Sequence, residues 1–353
     1  MNIYYYANQV YQYGHIKPIF DQTGGTYVVN KLNRLLRFKF YMTNSLSNTN
    51  KSTFLNTPPV IIRDLRKSLD LNGIIVSCSN TVIKNNKKES ISIFIGHGAG
   101  DKKYGGSAHD LETYDYHFIS GKKHLHKIKD VGIHIDDEKL IKIGYPKFDG
   151  YFNNQINKDK YLKYLGIKDT TRKNILYAPT WEWGDGTLKR FGKKFCREIS
   201  NEHNLIIRPH FEDRNHIVKL KTWARFNGLQ HVYFSNPAKI IKNNSMYDFA
   251  ISDLLISDTS SINYEYLITR KPIIIVDNNY DELHEMPSDL NILDIVQKYN
   301  GNKDNISLMI ENELSNNNYE QYNTMLHNCF YFNDGKSAER ASDFIQSLTI
   351  LKN

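Results

Sequence analysis

Short apolar runs separated by polar segments recur along the chain. In its first part this pattern predicts strands over residues 3–10, 26–29, 73–77 and 91–95. The segment Gly14–Phe20, which follows the first strand, predicts a short helix because glycines stand before and after it. Strands that alternate with short helices are typical of a doubly wound parallel sheet.

The same alternation restarts after a segment near residues 151–173 that is rich in lysine, asparagine and tyrosine. Near the end, Asp334–Leu348 has apolar positions spaced for an amphipathic helix. The second part therefore predicts another α/β unit. Its five predicted strands are 174–178, 204–208, 231–234, 254–256 and 272–276.

A chain of 353 residues exceeds what one hydrophobic core usually supports, so we expect two domains. The predicted fold class is α/β, with two Rossmann-like domains whose parallel sheets face a central cleft. We predict an N-terminal domain over residues 1–155 and a second domain over 156–333. Residues 334–353 are expected to form a C-terminal helix that packs back toward the N-terminal domain.

The stretch Ile251–Leu267 predicts a strand, a tight turn and a helix. Its apolar run Leu254–Ile256 suits a buried strand, and the serines at positions 260 and 261 open the helix. Such a helix start offers free backbone N–H groups, hydroxyls and the positive end of a dipole. We therefore predict a phosphate site at Ser260 and Ser261. The alternative that they only cap the helix stays open.

Two other strand ends carry groups that suit phosphate chemistry. His97 lies between two glycines after strand 91–95, where its imidazole is accessible and can accept a proton near neutral pH. Arg208 and His210 follow strand 204–208 and are expected to neutralise a diphosphate. A structural histidine at 97, or an ordinary strand-end arginine beside a surface histidine, remains the alternative.

Composition and charge narrow the classes of function. No apolar run approaches the roughly 18 residues that span a bilayer, and the start of the chain lacks the basic region of a signal peptide. Three isolated cysteines predict free thiols in a reducing compartment. Residues 1–170 carry 25 Lys and Arg against 15 Asp and Glu. This basic half suits a polyanionic partner, although the base composition of the genome is an equal explanation.

Metal and nucleotide-fold motifs are missing from the sequence. Six histidines fall between positions 97 and 134, but their spacing matches no metalloprotease motif. We predict no metal site and no cofactor. There is no Walker lysine loop, no GxGxxG fingerprint, no Gly-x-Ser-x-Gly elbow and no recognised nucleic-acid module, so nucleic-acid binding is not expected.

Several segments, taken in order, resemble the family of CDP-glycerol glycerophosphotransferases, which includes teichoic-acid and capsule polymerases and primases. The resemblance runs from about residue 90 to the C-terminus. It departs from the family at Thr259, where a tyrosine is usual, and around His97, where Gly96 precedes and a glycine-rich stretch follows. The matching segments are His97-Gly98, Ile143–Asp149, Ile175–Trp181, Arg208–His210, Asp253–Ser261 with Glu265, and Phe332–Arg340.

This resemblance implies a GT-B architecture and the transfer of an alditol phosphate from a CDP-activated donor to an acceptor hydroxyl, with release of CMP. It implies that His97 is the general base and that His210 is a second catalytic group. The donor phosphates would be held by Arg208, Thr259, Ser260 and Ser261. Supporting roles fall to Gly98, Thr180, Asp258 and Glu265.

The donor implied by the resemblance is CDP-glycerol or CDP-ribitol, and the acceptor is a lipid-linked or polymeric anionic molecule. We expect a cytoplasmic enzyme that is peripheral at the inner face of the cell membrane. Two other functions stay open. One is a GT-B glycosyltransferase or epimerase that uses a nucleotide sugar, and the other is a non-catalytic binder of anionic polymer.

Overall fold

The apolar runs of the sequence form the strands of two parallel sheets, one in each of two units of the chain. Unit 1 comprises Met1–Gly98, Lys103–Asn153 and Cys329–Asn353, and unit 2 comprises Ala99–Lys102 and Asn154–Asn328. The computed structural model describes residues 1–46, 57–65, 71–80, 90–103, 108–238, 244–278, 280, 282–301, 303–316 and 319–350.

The sheet of unit 1 has the strand order β3-β2-β1-β4-β5-β6-β7, and its paired strands run parallel. The order reverses between β1 and β4, which is where open α/β sheets bind ligands. Four of these strands were predicted, and β3, β6 and β7 were not. The strands are β1 (Ile3–Tyr6), β2 (Thr26–Val29), β3 (Val60–Ile62), β4 (Ile74–Ser77), β5 (Ile91–Phe94), β6 (Tyr116–Ile119) and β7 (Leu140–Lys142).

The sheet of unit 2 repeats this topology with the order β10-β9-β8-β11-β12-β13, again parallel. Its order reverses between β8 and β11. All five predicted strands of this part are present, and β13 is an additional edge strand. The strands are β8 (Asn174–Tyr177), β9 (Asn204–Ile207), β10 (Val232–Phe234), β11 (Leu254–Ser257), β12 (Ile273–Val276) and β13 (Gln297–Tyr299).

Helices connect the strands of both sheets. Every helix in the described part of the chain is too short or too polar to span a bilayer. The helix α2 was not predicted, whereas α1, α9 and α12 lie where the sequence pattern placed helices. The helices are α1 (Tyr13–Thr23), α2 (Leu32–Leu46), α3 (Lys122–Asp130), α4 (Asp149–Phe152), α5 (Lys158–Leu165), α6 (Leu188–Ile199), α7 (His216–Phe226), α8 (Ser245–Ile251), α9 (Ile262–Tyr266), α10 (Ile306–Ser315), α11 (Tyr319–Cys329) and α12 (Ser337–Ile350).

Each sheet buries its own core. In unit 1 the strand residues Tyr6, Ile75 and Phe94 are fully buried in one hydrophobic cluster. In unit 2, Ile175 on β8 and Ile256 on β11 are fully buried in another hydrophobic cluster. Burial of each such side chain stabilises the folded state by roughly 1.5–3 kcal/mol. The near-continuous apolar runs follow from helices covering the faces of a parallel sheet.

The carboxylate of Asp149 caps the last helix within unit 1. Its Oδ1 accepts the N–H of Ser337 at 3.1 Å, and its Oδ2 accepts the N–H of Ala338 at 2.7 Å. Two free N–H groups at the start of α12 are thereby satisfied. The segment Ile143–Asp149, noted from the sequence as a family-like motif, therefore fixes the position of the C-terminal helix.

Candidate active site

The carboxyl ends of β8 and β11 are joined by a buried carboxylate. Asp258 follows β11 directly, and its Oδ1 accepts the N–H of Thr180, in the loop after β8, at 2.7 Å. Its Oδ2 accepts both the N–H and the hydroxyl of Thr187, at 3.0 and 2.9 Å. The order of the sheet reverses at these two strands. Asp258 and Thr180, predicted as supporting residues, therefore fix the loops at this edge.

The environment of Asp258 opposes its ionisation. Its side chain is fully buried, and burial raises the pKa of this carboxyl to about 6, although the donors of Thr180 and Thr187 and the ammonium of Lys102 act in the other direction. A carboxylate with three donors at hydrogen-bond distance holds its loops rigidly. It presents no exposed charge to a ligand.

The serine turn predicted to bind phosphate lies at the start of α9. Ser260 and Ser261 are half-buried, and the hydroxyl of Ser260 accepts the N–H of Ile262 at 3.4 Å. The hydroxyl of Thr259 accepts a bond from the side-chain amide of Asn278 at 2.6 Å. Ser260 and Ser261 thus lie at a partly exposed helix start. The bond from Ile262 fits the capping alternative for Ser260, and the phosphate role of the two serines stays a prediction.

Glu265 has a different environment from the serines that precede it. Its side chain is buried at 1% exposure, and it accepts a hydrogen bond from the hydroxyl of Ser245 at 3.4 Å. This contact joins α9 to the start of α8. The supporting role predicted for Glu265 stays a prediction, and its observed contact is with Ser245 inside unit 2.

The segment Ala99–Lys102, which opens the glycine-rich stretch noted after Gly98 as a departure from the family, packs against this turn. A Cβ atom on Gly100 would lie 3.0 Å from the Cα of Ser261, so the two backbones are in close contact. The carboxylate of Asp101 accepts a hydrogen bond from Tyr264 at 2.9 Å, and its carbonyl accepts the N–H of His284 at 2.7 Å. The only sequence signal was the glycine-rich composition that follows Gly98.

Lys102 lies at the end of that segment and reaches the loop after β8. Its Nζ donates to the hydroxyl of Thr180 at 3.3 Å and to the carbonyl of Gly184 at 3.2 Å. The same ammonium is 4.6 Å from the centre of the Tyr280 ring. Burial lowers the pKa of Lys102, while Asp258 and Asp185 raise it. Lys102 supplies a positive charge at the sheet edge that carries the serine turn.

His210 is held as a neutral hydrogen-bond donor. Its Nδ1 accepts the N–H of Glu212 at 3.3 Å, so in the neutral ring the proton resides on Nε2. Burial, with Lys102 and Arg208 nearby, lowers the pKa of His210 to about 4. Its ring lies 5.7 Å from that of Trp181. Near neutral pH the Nε2–H can donate to a phosphate oxygen.

Arg208 forms an ion pair with the buried carboxylate of Asp248. Its Nη1 donates to Oδ2 of Asp248 at 2.9 Å and to the hydroxyl of Ser235 at 3.2 Å. The other oxygen of Asp248 accepts from the hydroxyl of Tyr161 at 2.8 Å. Asp248 is fully buried, and the guanidinium side chain is 11% exposed. The structure therefore gives Arg208 a positioning contact in addition to the phosphate role predicted for it.

His97, in unit 1, is held in the opposite tautomer to His210. Its Nδ1–H donates to the carbonyl of Cys78 at 2.5 Å, which leaves Nε2 as the acceptor of the neutral ring. Gly96 and Gly98 have φ angles of 71° and 117°, a region that favours glycine. Burial lowers the pKa of His97, and Lys127 lowers it further, while the bond to Cys78 raises it. A neutral Nε2 is what a general base requires.

The remaining histidines of the 97–134 stretch have different environments. His117 is fully buried with a pKa lowered to about 4, mainly by burial, and burial lowers the pKa of His124 to about 3. Two groups of possible metal ligands lie elsewhere among the described residues, in unit 2. They are Glu182 with Asp213 and His216, and Glu202 with His203 and Glu311.

Known proteins resemble this chain in sequence and in fold. The chain matches the family model "CDP-Glycerol:Poly(glycerophosphate) glycerophosphotransferase" over residues 85–347. It is 27% identical over 294 residues to the teichoic acid glycerol-phosphate primase of Bacillus subtilis, which covers 76% of this chain and 71% of that protein.

Two solved structures show the same fold. The wall teichoic acid polymerase TagF superposes with a TM-score of 0.67 at 18% identity, covering 99% of this chain and 89% of that one. The UDP-GlcNAc 2-epimerase of Neisseria meningitidis gives 0.65 at 14% identity and covers both chains fully, at 100% each. The predicted GT-B fold class is therefore confirmed. Because both enzymes match equally well, the fold alone does not select the reaction.

Proposed function

The chain belongs to the CDP-glycerol:poly(glycerophosphate) glycerophosphotransferase family, and from this premise we propose that it moves glycerol phosphate from CDP-glycerol to an acceptor hydroxyl. The family named from the sequence motifs is confirmed, and the protein is a transferase. The observation that supports the proposal is that Lys102, His210 and the serine turn lie at the carboxyl edge of unit 2, where they would supply donors for a diphosphate.

The donor binds through its phosphates in this proposal. A diphosphate is a dense anion that is best neutralised by charge-assisted hydrogen bonds. Lys102 provides an ammonium and His210 an Nε2–H, while Ser260 and Ser261 provide hydroxyls at a helix start. Arg208 adds positive charge from its buried ion pair with Asp248. These groups would orient the cytidine diphosphate and leave the alditol end toward the acceptor.

The transfer itself is an in-line displacement at the phosphorus that carries the alditol. The acceptor oxygen attacks this phosphorus, its proton passes to Nε2 of His97, and the bond to the bridging oxygen breaks so that CMP leaves. The neutral Nε2 of His97 suits it to accept that proton. Charge that develops on the phosphoryl oxygens is met by fixed donors, of which the Nε2–H of His210 is one.

The proposal also specifies which alditol phosphate is transferred and which kind of molecule accepts it. We propose glycerol phosphate as the transferred group, with ribitol phosphate as the alternative, and a lipid-linked or polymeric anionic acceptor at the inner membrane surface. The basic excess of residues 1–170 supports an anionic partner of this kind. A nucleotide-sugar transferase or epimerase is the second candidate, since an epimerase shares the fold.

Product analysis separates these candidates. Purified protein is incubated with CDP-glycerol, CDP-ribitol or UDP-sugars in the presence of acceptor, and CMP and UDP are measured. We expect CMP release that depends on acceptor. Release of UDP alone would reject the alditol-phosphate reaction, and tight polymer binding with no turnover of any donor would favour a non-catalytic binder.

Substitution of the proposed base tests the chemistry. His97→Asn keeps a side-chain N–H that can donate to the Cys78 carbonyl but removes the basic nitrogen. We expect turnover to fall about 10²–10⁴-fold while the KM for donor changes little. His109→Asn is the control, because His109 is exposed.

Chelation tests the proposal that transfer needs no metal. Turnover is expected to be the same with and without EDTA. If EDTA abolishes it and a divalent cation restores it, the group Glu182, Asp213 and His216 becomes the first place to look for the ion. Variants of those three residues would then be assayed, and the cation should no longer restore their turnover.

A further inference from the structure

A buried glutamine joins the two strands at which the sheet order of unit 1 reverses. Gln12 follows β1 and is 3% exposed. Its side-chain Oε1 accepts the main-chain N–H of Asn8 at 2.8 Å and that of Gln9 at 3.0 Å. Its Nε2 donates to the carbonyl of Cys78, the residue directly after β4, at 3.2 Å. Gln12 therefore bridges the carboxyl ends of β1 and β4.

The orientation of this amide follows from its partners. Two N–H donors face one end of the amide and a carbonyl faces the other, so the oxygen fits only at the first end and the NH₂ group only at the second. The thiol of Cys78 adds a return contact as a weak donor, because its Sγ lies 3.9 Å from the carbonyl oxygen of Gln12. Gln12 thus holds the main chain after β4 in a fixed place.

The carbonyl that Gln12 holds is the one that orients His97. The Nδ1–H of His97 donates to the carbonyl of Cys78 at 2.5 Å, and a carbonyl oxygen has two lone pairs, so it can accept from both side chains. The hydrogen bond at one ring nitrogen decides which nitrogen of a neutral imidazole carries the proton. The position of the Cys78 carbonyl therefore decides that Nε2 of His97 is the proton acceptor.

The turn that carries Gln12 also contacts the ring of His97. Tyr11 precedes Gln12, and the centre of its ring is 5.7 Å from that of His97. Both residues belong to one short helical turn, Val10–Gln12. Because the amide of Gln12 closes this turn onto the chain that leaves β1, a displacement of Gln12 would move both contacts of His97 together.

We propose that Gln12 is a positioning residue for His97, the base of the transfer reaction. Gln12 acts through the carbonyl of Cys78 and needs no contact with a substrate. It lies outside residues 85–347, over which the family model matches, so the family assigns it no role. This inference rests on the function proposed above, and it adds to that function a side chain from the first strand connection of unit 1.

Two variants test the proposal in the full chain. Gln12→Met keeps the length of the side chain and removes both of its hydrogen-bonding ends. Gln12→Glu keeps the acceptor for Asn8 and Gln9 and places an oxygen opposite the carbonyl of Cys78, so it carries the test if Gln12→Met does not fold. We expect kcat for CMP release to fall about ten- to hundredfold in each, because a catalytic group is misplaced. The KM for CDP-glycerol should stay at the wild-type value.

Ser90→Ala is the matched control. Ser90 is 5% exposed, and its hydroxyl donates to the carbonyl of Leu71 at 2.6 Å. It precedes β5, whereas His97 follows that strand, so the two residues lie at opposite edges of the same sheet. Ser90→Ala removes a buried bond from a side chain to a carbonyl without touching the Cys78 carbonyl. We expect it to lose stability in urea denaturation and to keep the wild-type kcat.

The tautomer of His97 gives a measurement that does not depend on the reaction. Nitrogen NMR of isotope-labelled protein distinguishes the two tautomers, and the His97→Asn variant identifies the signals of His97. We expect one tautomer, with the proton on Nδ1, in the wild type and in Ser90→Ala, and a mixture of tautomers in the Gln12 variants.

Two outcomes overturn the proposal. One is wild-type kcat in the folded Gln12 variants, and the other is a His97 tautomer that those variants leave unchanged. A loss of kcat in Ser90→Ala as large as that in Gln12→Met would also count against it. If the wild type releases no CMP from any donor but the Gln12 variants change the tautomer, the proposed reaction fails while the contact from Gln12 to His97 is supported.

Discussion

The main-chain N–H of Thr180 donates to Oδ1 of Asp258 at 2.7 Å, and this bond joins the two strands at which the sheet order of unit 2 reverses. The second oxygen of Asp258 holds Thr187 by two bonds. Because the carboxylate of Asp258 is fully buried, solvent water cannot easily take its place as the acceptor for these three donors. The geometry of the proposed donor site depends on this one side chain.

Asp258→Asn is expected to destabilise unit 2. An amide keeps one oxygen but replaces the other with an NH₂ group. If that group takes the place of Oδ2, the buried N–H of Thr187 loses its acceptor. We expect a loss of about 1–3 kcal/mol in the free energy of unfolding, measured by urea denaturation, and Asp289→Asn on the surface should change it little. Equal stability of Asp258→Asn and wild type would contradict the role given to this carboxylate.

The pH dependence of the reaction should reveal the state of His97. Only the neutral ring accepts a proton, so protonation at low pH stops catalysis. Because burial and Lys127 lower the pKa of His97 below its usual 6.5, the acid limb of kcat/KM should lie below pH 6.5. Removing the charge with Lys127→Met should raise that pKa and move the limb to higher pH.

The control for this shift lies on the same helix. Lys129 is exposed, and Lys129→Met should leave the acid limb where it is in the wild type. An acid limb that stays in place in Lys127→Met, or one that lies above pH 6.5 in the wild type, is incompatible with a His97 base in this environment.

The sequence was sufficient for the features that depend on local pattern. Buried parallel strands are continuous apolar runs, so the strand at 26–29 and five of the six described strands of unit 2 were predicted within a residue or so of their bounds. The serine turn was recognisable because serines, which favour helix starts, follow a strand, and Ser261 is the N-cap of α9. In each case the signal lies within about ten residues of chain.

Features that depend on long-range contacts were not predictable. Asp248 is 40 residues from Arg208 in sequence, and only the folded chain shows that they form a buried pair. Lys102 is 78 residues from Thr180, its hydrogen-bond partner. The helix α2 was missed because its exposed leucines and phenylalanine blur the period that a helix with a polar outer face would show.

The Arg208–Asp248 pair allows structural and binding roles to be separated. Arg208→Met leaves the carboxylate of Asp248 buried without its guanidinium, and we expect a loss of about 3–5 kcal/mol in the free energy of unfolding. Adding Asp248→Asn removes the unpaired charge and should recover much of that stability. Both quantities are measured by urea denaturation, alongside the KM for CDP-glycerol.

The double variant then shows whether Arg208 also contributes to binding of the donor CDP-glycerol. If Arg208 also neutralises the donor phosphates, the KM of Arg208→Met/Asp248→Asn should remain raised about tenfold or more although its stability has recovered. A double variant with recovered stability and the KM of the wild type would restrict Arg208 to a positioning role.

Lys102 is the cation that we propose for the donor phosphates; it contacts the Thr180 loop and lowers the pKa of both His210 and Asp258. Lys102→Met removes the ammonium but keeps much of the apolar length of the side chain. A lost charge-assisted bond of about 1.5–3 kcal/mol corresponds to a rise of roughly ten- to hundredfold in the KM for CDP-glycerol. The neighbouring Lys103 is exposed, so Lys103→Met should keep the wild-type KM. A Lys102→Met enzyme that is folded and retains the wild-type KM would show that the donor phosphates bind away from this edge of the sheet.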